Sequence, residues 1–139
     1  GETKEGSFGV RVPTTMDVDH KPDGGKIVSS DGVTDKDAWG KRAAWVDYSG
    51  NVGGEQLGIA VMNHPSSFRF PTRWHVRTYG LFAANPFGAT SFDKDTKDES
   101  GATIRSGDSI TLRYRVLFHK GNAEEAGIEA AFKEYSDAK

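Results

Sequence analysis

The stretch Ser109-Ile110-Thr111-Leu112-Arg113-Tyr114-Arg115-Val116-Leu117-Phe118-His119 decides the fold, because it alternates along its length. Ile110, Leu112, Tyr114, Val116 and Phe118 share one face; Thr111, Arg113, Arg115, Leu117 and His119 share the other. A period of two is the signature of a strand, since successive side chains of an extended chain point to opposite sides. Outward from there, four more segments read as strands. Ser7–Pro13 alternates, Arg42–Tyr48 is rich in apolar and aromatic residues, and Arg73–Phe82 alternates before turning apolar. Gln56–Met62 is almost continuously apolar, as expected of a strand covered on both faces. Ile27–Ser30 adds a short sixth.

Turn formers punctuate these runs. Lys21–Lys26 and Asn51–Gly54 contain the Pro, Gly and Asn residues that fix a bend or permit positive φ. Ser91–Asp108 is polar, carries charges of both signs and reads as a long exposed loop of the kind that is mobile or functional. Only the tail reads as helix: within Ala123–Ser136, Ile128, Phe132 and Tyr135 recur at the spacing of one helical stripe. The expectation is an antiparallel β-sandwich with one short C-terminal helix, as a single domain over residues 1–139 or the C-terminal half of a larger one. Five or six strands leave sheet edges open, and open edges pair with other chains. Self-association through strand edges, or a further segment that completes the sheets, is therefore expected.

Composition narrows the function classes. The 139 residues carry 18 Lys and Arg against 20 Asp and Glu, a net charge of −2, which argues against nucleic acid held by bulk charge. No apolar run is long enough to span a membrane. The absence of cysteine excludes disulfides, thiolate metal sites and a cysteine nucleophile. No P-loop, GxSxG or HExxH pattern occurs. No cofactor follows from the sequence.

Charge is uneven, however. Residues 51–92 hold one acid, Glu55, and three bases, Arg69, Arg73 and Arg77, among Phe68, Phe70, Trp74, Tyr79, Phe82 and Phe87. Arginine forks and aromatic faces together suit a planar or sugar-like ligand. Along an extended Arg73–Tyr79, the side chains of Arg73, His75, Arg77 and Tyr79 share one face and form a candidate ligand row. The competing reading is a solvated face, or arginines neutralising acids, with Asp47 and Glu55 as the nearest counter-ions. His64, in Asn63-His64-Pro65 at a strand end, and His75 are the candidate general acid/base or metal ligands. Trp39, beside Gly40 in a polar setting, and Trp74 are candidate stacking rings, and Asn85 a candidate ligand donor. Asp17-Val18-Asp19-His20 is a ligand-capable cluster without a metal-spacing signature.

Several blocks resemble a known family: Trp39-Gly40-Lys41-Arg42, Ala44-Trp45-Val46-Asp47-Tyr48-Ser49-Gly50, Asn63-His64-Pro65-Ser66, Phe70-Pro71-Thr72-Arg73-Trp74-His75-Val76-Arg77 and Tyr79-Gly80-Leu81-Phe82-Ala83-Ala84-Asn85-Pro86-Phe87-Gly88. With the strand Leu112–His119 and the terminal helix, they are similar to the PmoA-like family of soluble bacterial proteins of uncertain function, labelled methane oxygenase PmoA. The resemblance implies a longer parent of which this chain is the C-terminal half, and a secreted or periplasmic location. It implies a carbohydrate-related role, binding or acting on a saccharide or sugar-derived substrate. A copper- or iron-dependent oxidoreductase, with His64 and His75 joining histidines from the other half, and a non-catalytic binding or assembly module are the alternatives.

Overall fold

A computed structural model describes residues 1–96, 99 and 101–139. Among the described residues seven strands run: β1 (Phe8–Arg11), β2 (Lys26–Ser29), β3 (Trp45–Val52), β4 (Glu55–Asn63), β5 (Arg73–Val76), β6 (Leu81–Asn85) and β7 (Tyr114–Lys120). They form two antiparallel sheets, a three-stranded one in the order β1-β6-β5 and a four-stranded one in the order β2-β3-β4-β7. A single helical turn, α1 (Ala89–Phe92), a terminal helix, α2 (Ile128–Asp137), and short 3₁₀ turns at Thr14–Met16 and Asp35–Ala38 accompany them.

The inner faces of the two sheets make the main core. Ile27, Val46, Tyr48 and Val61 from the larger sheet meet Trp74, Val76, Phe82 and Ala84 from the smaller. Full burial of each large side chain contributes ~1.5–3 kcal/mol. The stripe foreseen on the tail packs α2 against the opposite face of the larger sheet, where Ile128 and Tyr135 bury Trp45, Ala60 and Met62. The strand β4 is thus covered on both sides, which its continuous apolar sequence anticipates. Gly53 and Gly54 close the β3–β4 hairpin with φ of 61° and 87°, the positive pair that a type I′ turn needs.

Several boundaries depart from the sequence reading: the tail helix begins at Ile128 rather than Ala123, and the strand read at Arg42–Tyr48 runs from Trp45 to Val52. Arg73–Phe82 is not one strand but the hairpin β5–β6. Gly80 takes φ of 95°, Arg77 N–H donates to Leu81 O, and the buried Tyr48 hydroxyl donates to Arg77 O while accepting from Gly80 N–H. Ser109–His119 becomes strand only from Tyr114, because β4 ends at Asn63 and leaves nothing in register for the residues before it. Thr111 and Arg113 instead accept from Phe68 and His64 backbone N–H groups in the loop that follows β4. Helix is not confined to the tail, since α1 forms where Gly88 ends the turn after β6. Of the expected loop Ser91–Asp108, Lys97, Asp98 and Ser100 lie outside the described residues. No described helix is long and apolar enough to cross a membrane.

Candidate functional site

The proposed row on Arg73–Tyr79 is divided by the hairpin. Arg73 and His75 do project from the outer face of the smaller sheet, opposite Trp74 and Val76, but both are engaged. Arg73 donates to Gly40 O at 2.9 Å and pairs with Glu99 at 3.5 Å; Arg42 binds the same carboxylate at 2.5 Å. His75 is buried, with Nδ1 2.8 Å from Lys4 O, and burial pulls its pKa below the usual imidazole value. Asn85 is fully buried and donates to the carbonyls of Thr3 and Lys4, so it fastens the N-terminal segment over this face. Arg77 and Tyr79 sit in the turn, with the Arg77 guanidinium over the Trp39 ring at 5.0 Å and donating to the Tyr79 hydroxyl.

The stacking rings also differ from expectation. Trp74 is fully buried in the core and its indole N–H donates to Ala43 O, so no ligand reaches it. Trp39 is half-buried and meets Phe92 and His75 edge-on, a lid against the sheet rather than a free platform. Its indole nitrogen has no partner among the described residues. His64 lies on the other side of the molecule, against Tyr135 of α2, held by Ser66 and by Ala138 O. The two candidate histidines therefore flank opposite sheets. Among the described residues, no three His, Asp or Glu side chains gather as a metal-holding group, the Asp17–His20 segment included.

The molecule does carry a recess, elsewhere. Between the outer face of the larger sheet and the start of α2 lies a cavity of about 440 Å³, lined by Lys26, Val28, Trp45, Ser49, Asn122, Ala123, Glu124, Gly127, Ile128 and Glu129. Period two explains its floor: Trp45 and Ser49 share the outer face of β3, and register places Lys26 and Val28 beside Ser49 and Asp47. Small residues before the helix, Ala123 and Gly127, leave the space open. The Trp45 indole donates to Glu129 at 2.9 Å and so ties the first turn of α2 to the sheet.

Asp47 stands between Trp45 and Ser49 on the same face and is completely buried. It neutralises no arginine. His119 reaches it from β7, with Nε2 2.5 Å from Asp47 Oδ1. To do so the imidazole crosses β4 over Gly58, where any Cβ would overlap the ring. The other ring nitrogen faces Lys120 O at 3.2 Å, an atom that can only accept, so Nδ1 carries a proton. Burial pushes the Asp47 pKa up, opposed by the hydrogen bond and charge of His119, and Asp47 Oδ2 has no partner among the described residues. Glu55, the other expected counter-ion, pairs with Lys120 instead.

A model of a family of unknown function, DUF6807, matches residues 1–133. The chain belongs to the DUF6807 family. No curated protein and no solved structure matches it. In this DUF6807 chain the recess and the Asp47–His119 pair share the outer face of the larger sheet. The sequence reading missed the pair Asp47–His119, whose members lie 72 residues apart. One local signal for it existed: Gly58 in the middle of an otherwise apolar strand marks a close approach.

Proposed function

We propose that this chain binds a saccharide in the recess between the larger sheet and α2. The observation that carries the reading is the lining of that cavity. Val28 and Ala123, with the accessible edge of Trp45, offer an apolar patch for the C–H face of a sugar ring, while Asn122, Glu124, Glu129 and Lys26 ring it with donors and acceptors for hydroxyls. The volume lies within the usual range for a small-ligand site, ~300–1,000 Å³. The smaller sheet supports the same role less well, because its polar side chains already bind the chain's own backbone and Glu99.

Titration calorimetry with a panel of neutral oligosaccharides (cello-, xylo-, manno- and malto-series) tests this. At least one series is expected to bind, with affinity lowered ~10-fold or more by Asn122→Ala and by Glu124→Gln, each equivalent to the loss of a ligand hydrogen bond. Both side chains are exposed, so neither change disturbs the core; Asn122 Oδ1 also accepts from Glu125 N–H at 2.9 Å, and Glu124→Gln therefore reports ligand contact more directly. Absence of binding across the panel, or binding indifferent to both substitutions, overturns the reading.

A further inference from the structure

The two flanks of the sandwich are finished differently. On one, both sheet edges are closed by the chain itself. The edge of β5 is covered by residues 40–43, through Gly40 N–H to Trp74 O, Trp74 N–H to Lys41 O and Ala43 N–H to Thr72 O. The edge of β2 is covered by residues 33–35, through Ser29 N–H to Val33 O and Ile27 N–H to the Asp35 carboxylate. On the opposite flank β1 and β7 stand side by side, joined by the stacked rings of Phe8 and Tyr114, and each ends its sheet.

Register identifies what β7 leaves unpaired. His64 N–H donates to Arg113 O and Gly121 N–H to Gln56 O, at the two ends of the β4–β7 ladder. Hydrogen-bonded pairs in an antiparallel ladder fall on alternate residues, so Arg115, Leu117 and His119 point their backbone groups at β4. Val116 and Phe118 point theirs outward, where no backbone partner exists among the described residues. Phe118 is also 73 % exposed, at the mouth of an apolar notch of about 420 Å³ that includes Leu57 and Ile59 and that the three-stranded sheet fails to cover.

We infer that β7 is a docking edge for an added β-strand, supplied by polypeptide outside these 139 residues, that bears acidic residues on its outward face and apolar residues on its inward face. Charge selects that occupant. Arg113 and Arg115 have no carboxylate partner among the described residues, and neither β1 nor β7 contains an acid. A second copy of this chain fits badly. Antiparallel pairing of β7 with itself about Leu117 brings Arg115 no carboxylate, because the strand holds none.

The test uses ¹⁵N-labelled protein and two short capped peptides, one alternating valine with glutamate and one alternating valine with lysine. The glutamate peptide is expected to shift the amide signals of Val116, Phe118 and their neighbours in β7, and the lysine peptide to bind ~10-fold more weakly or not at all. Phe118→Pro removes an outward N–H without touching the β4 ladder and should abolish the effect; Arg115→Glu should reverse the preference between the peptides. No shift in β7 with either peptide, equal response to both, or a dimer through β7 in sedimentation equilibrium overturns the inference.

Discussion

A single missing side chain, at Gly58, lets His119 lie across β4 and reach Asp47, and the consequence is a carboxylate sealed from water with one oxygen unpartnered. Burial favours its neutral form, so the native state holds the Asp47 proton to higher pH than the unfolded chain does. The sign follows from linkage. The stability due to this raised pKa is fully present below the ordinary carboxylate pKa, about 3.9, and is lost as pH rises through the native value. We therefore expect the unfolding free energy of the protein minus that of Asp47→Asn to fall as pH is raised above about 4, compared below about pH 5.5, where a free imidazole stays largely protonated. Urea unfolding of both proteins across that range measures it; a difference that stays flat or rises contradicts a raised Asp47 pKa. Nothing near Asp47 or His119 in the sequence announced the pair, since the contact is made across three strands. At this scale sequence reported residue type and facing side, as for Arg73 and His75. It could not report partner, and so Asn85 and His75, read as ligand contacts, turn out to hold the N-terminal backbone.

Elements were legible wherever one face of a strand or helix meets a core. The alternation from Tyr114 onward, the two-sided apolar run of β4 and the stripe on α2 all state a burial pattern directly in sequence. The long segment Arg73–Phe82 misled because alternation continues through a turn that is enforced from outside, by the Tyr48 hydroxyl of another strand. The helix α2 matters beyond its own stability, for it walls the recess. Ile128 is fully buried between Trp45 and Met62 on the sheet face. Ile128→Ala is expected to cost ~2–5 kcal/mol of stability, the usual range for an aliphatic side chain deleted from a core. It should also loosen the contact that shields Trp45. A lowered urea midpoint together with a red shift in tryptophan emission before global unfolding is the expected result. A midpoint shift with unchanged native emission would mean that α2 stays seated without its anchor.

For the whole molecule, what counts is that one flank is closed and the other open, a property of topology that counting strands could only hint at. The sequence leads to an expectation of five or six strands with open edges, and seven form; which edges stay open depends on segments 33–35 and 40–43 folding back on β2 and β5, and no alternation marks these segments. The open flank has a signature that needs no ligand. Amides of Leu117 and His119 donate into the β4 ladder, whereas those of Val116 and Phe118 face away from it. Protection from hydrogen exchange reports local hydrogen bonding and opening. Native-state exchange should therefore alternate along β7, slow at 117 and 119 and faster by about 10-fold or more at 116 and 118, since a 10-fold ratio needs only ~1.4 kcal/mol of extra protection. The strand β3, paired on both sides by β2 and β4, should show no such alternation from Val46 to Ser49. Uniform protection along β7 in the isolated chain would mean that its edge is already paired, and the asymmetry between the flanks would lose its meaning.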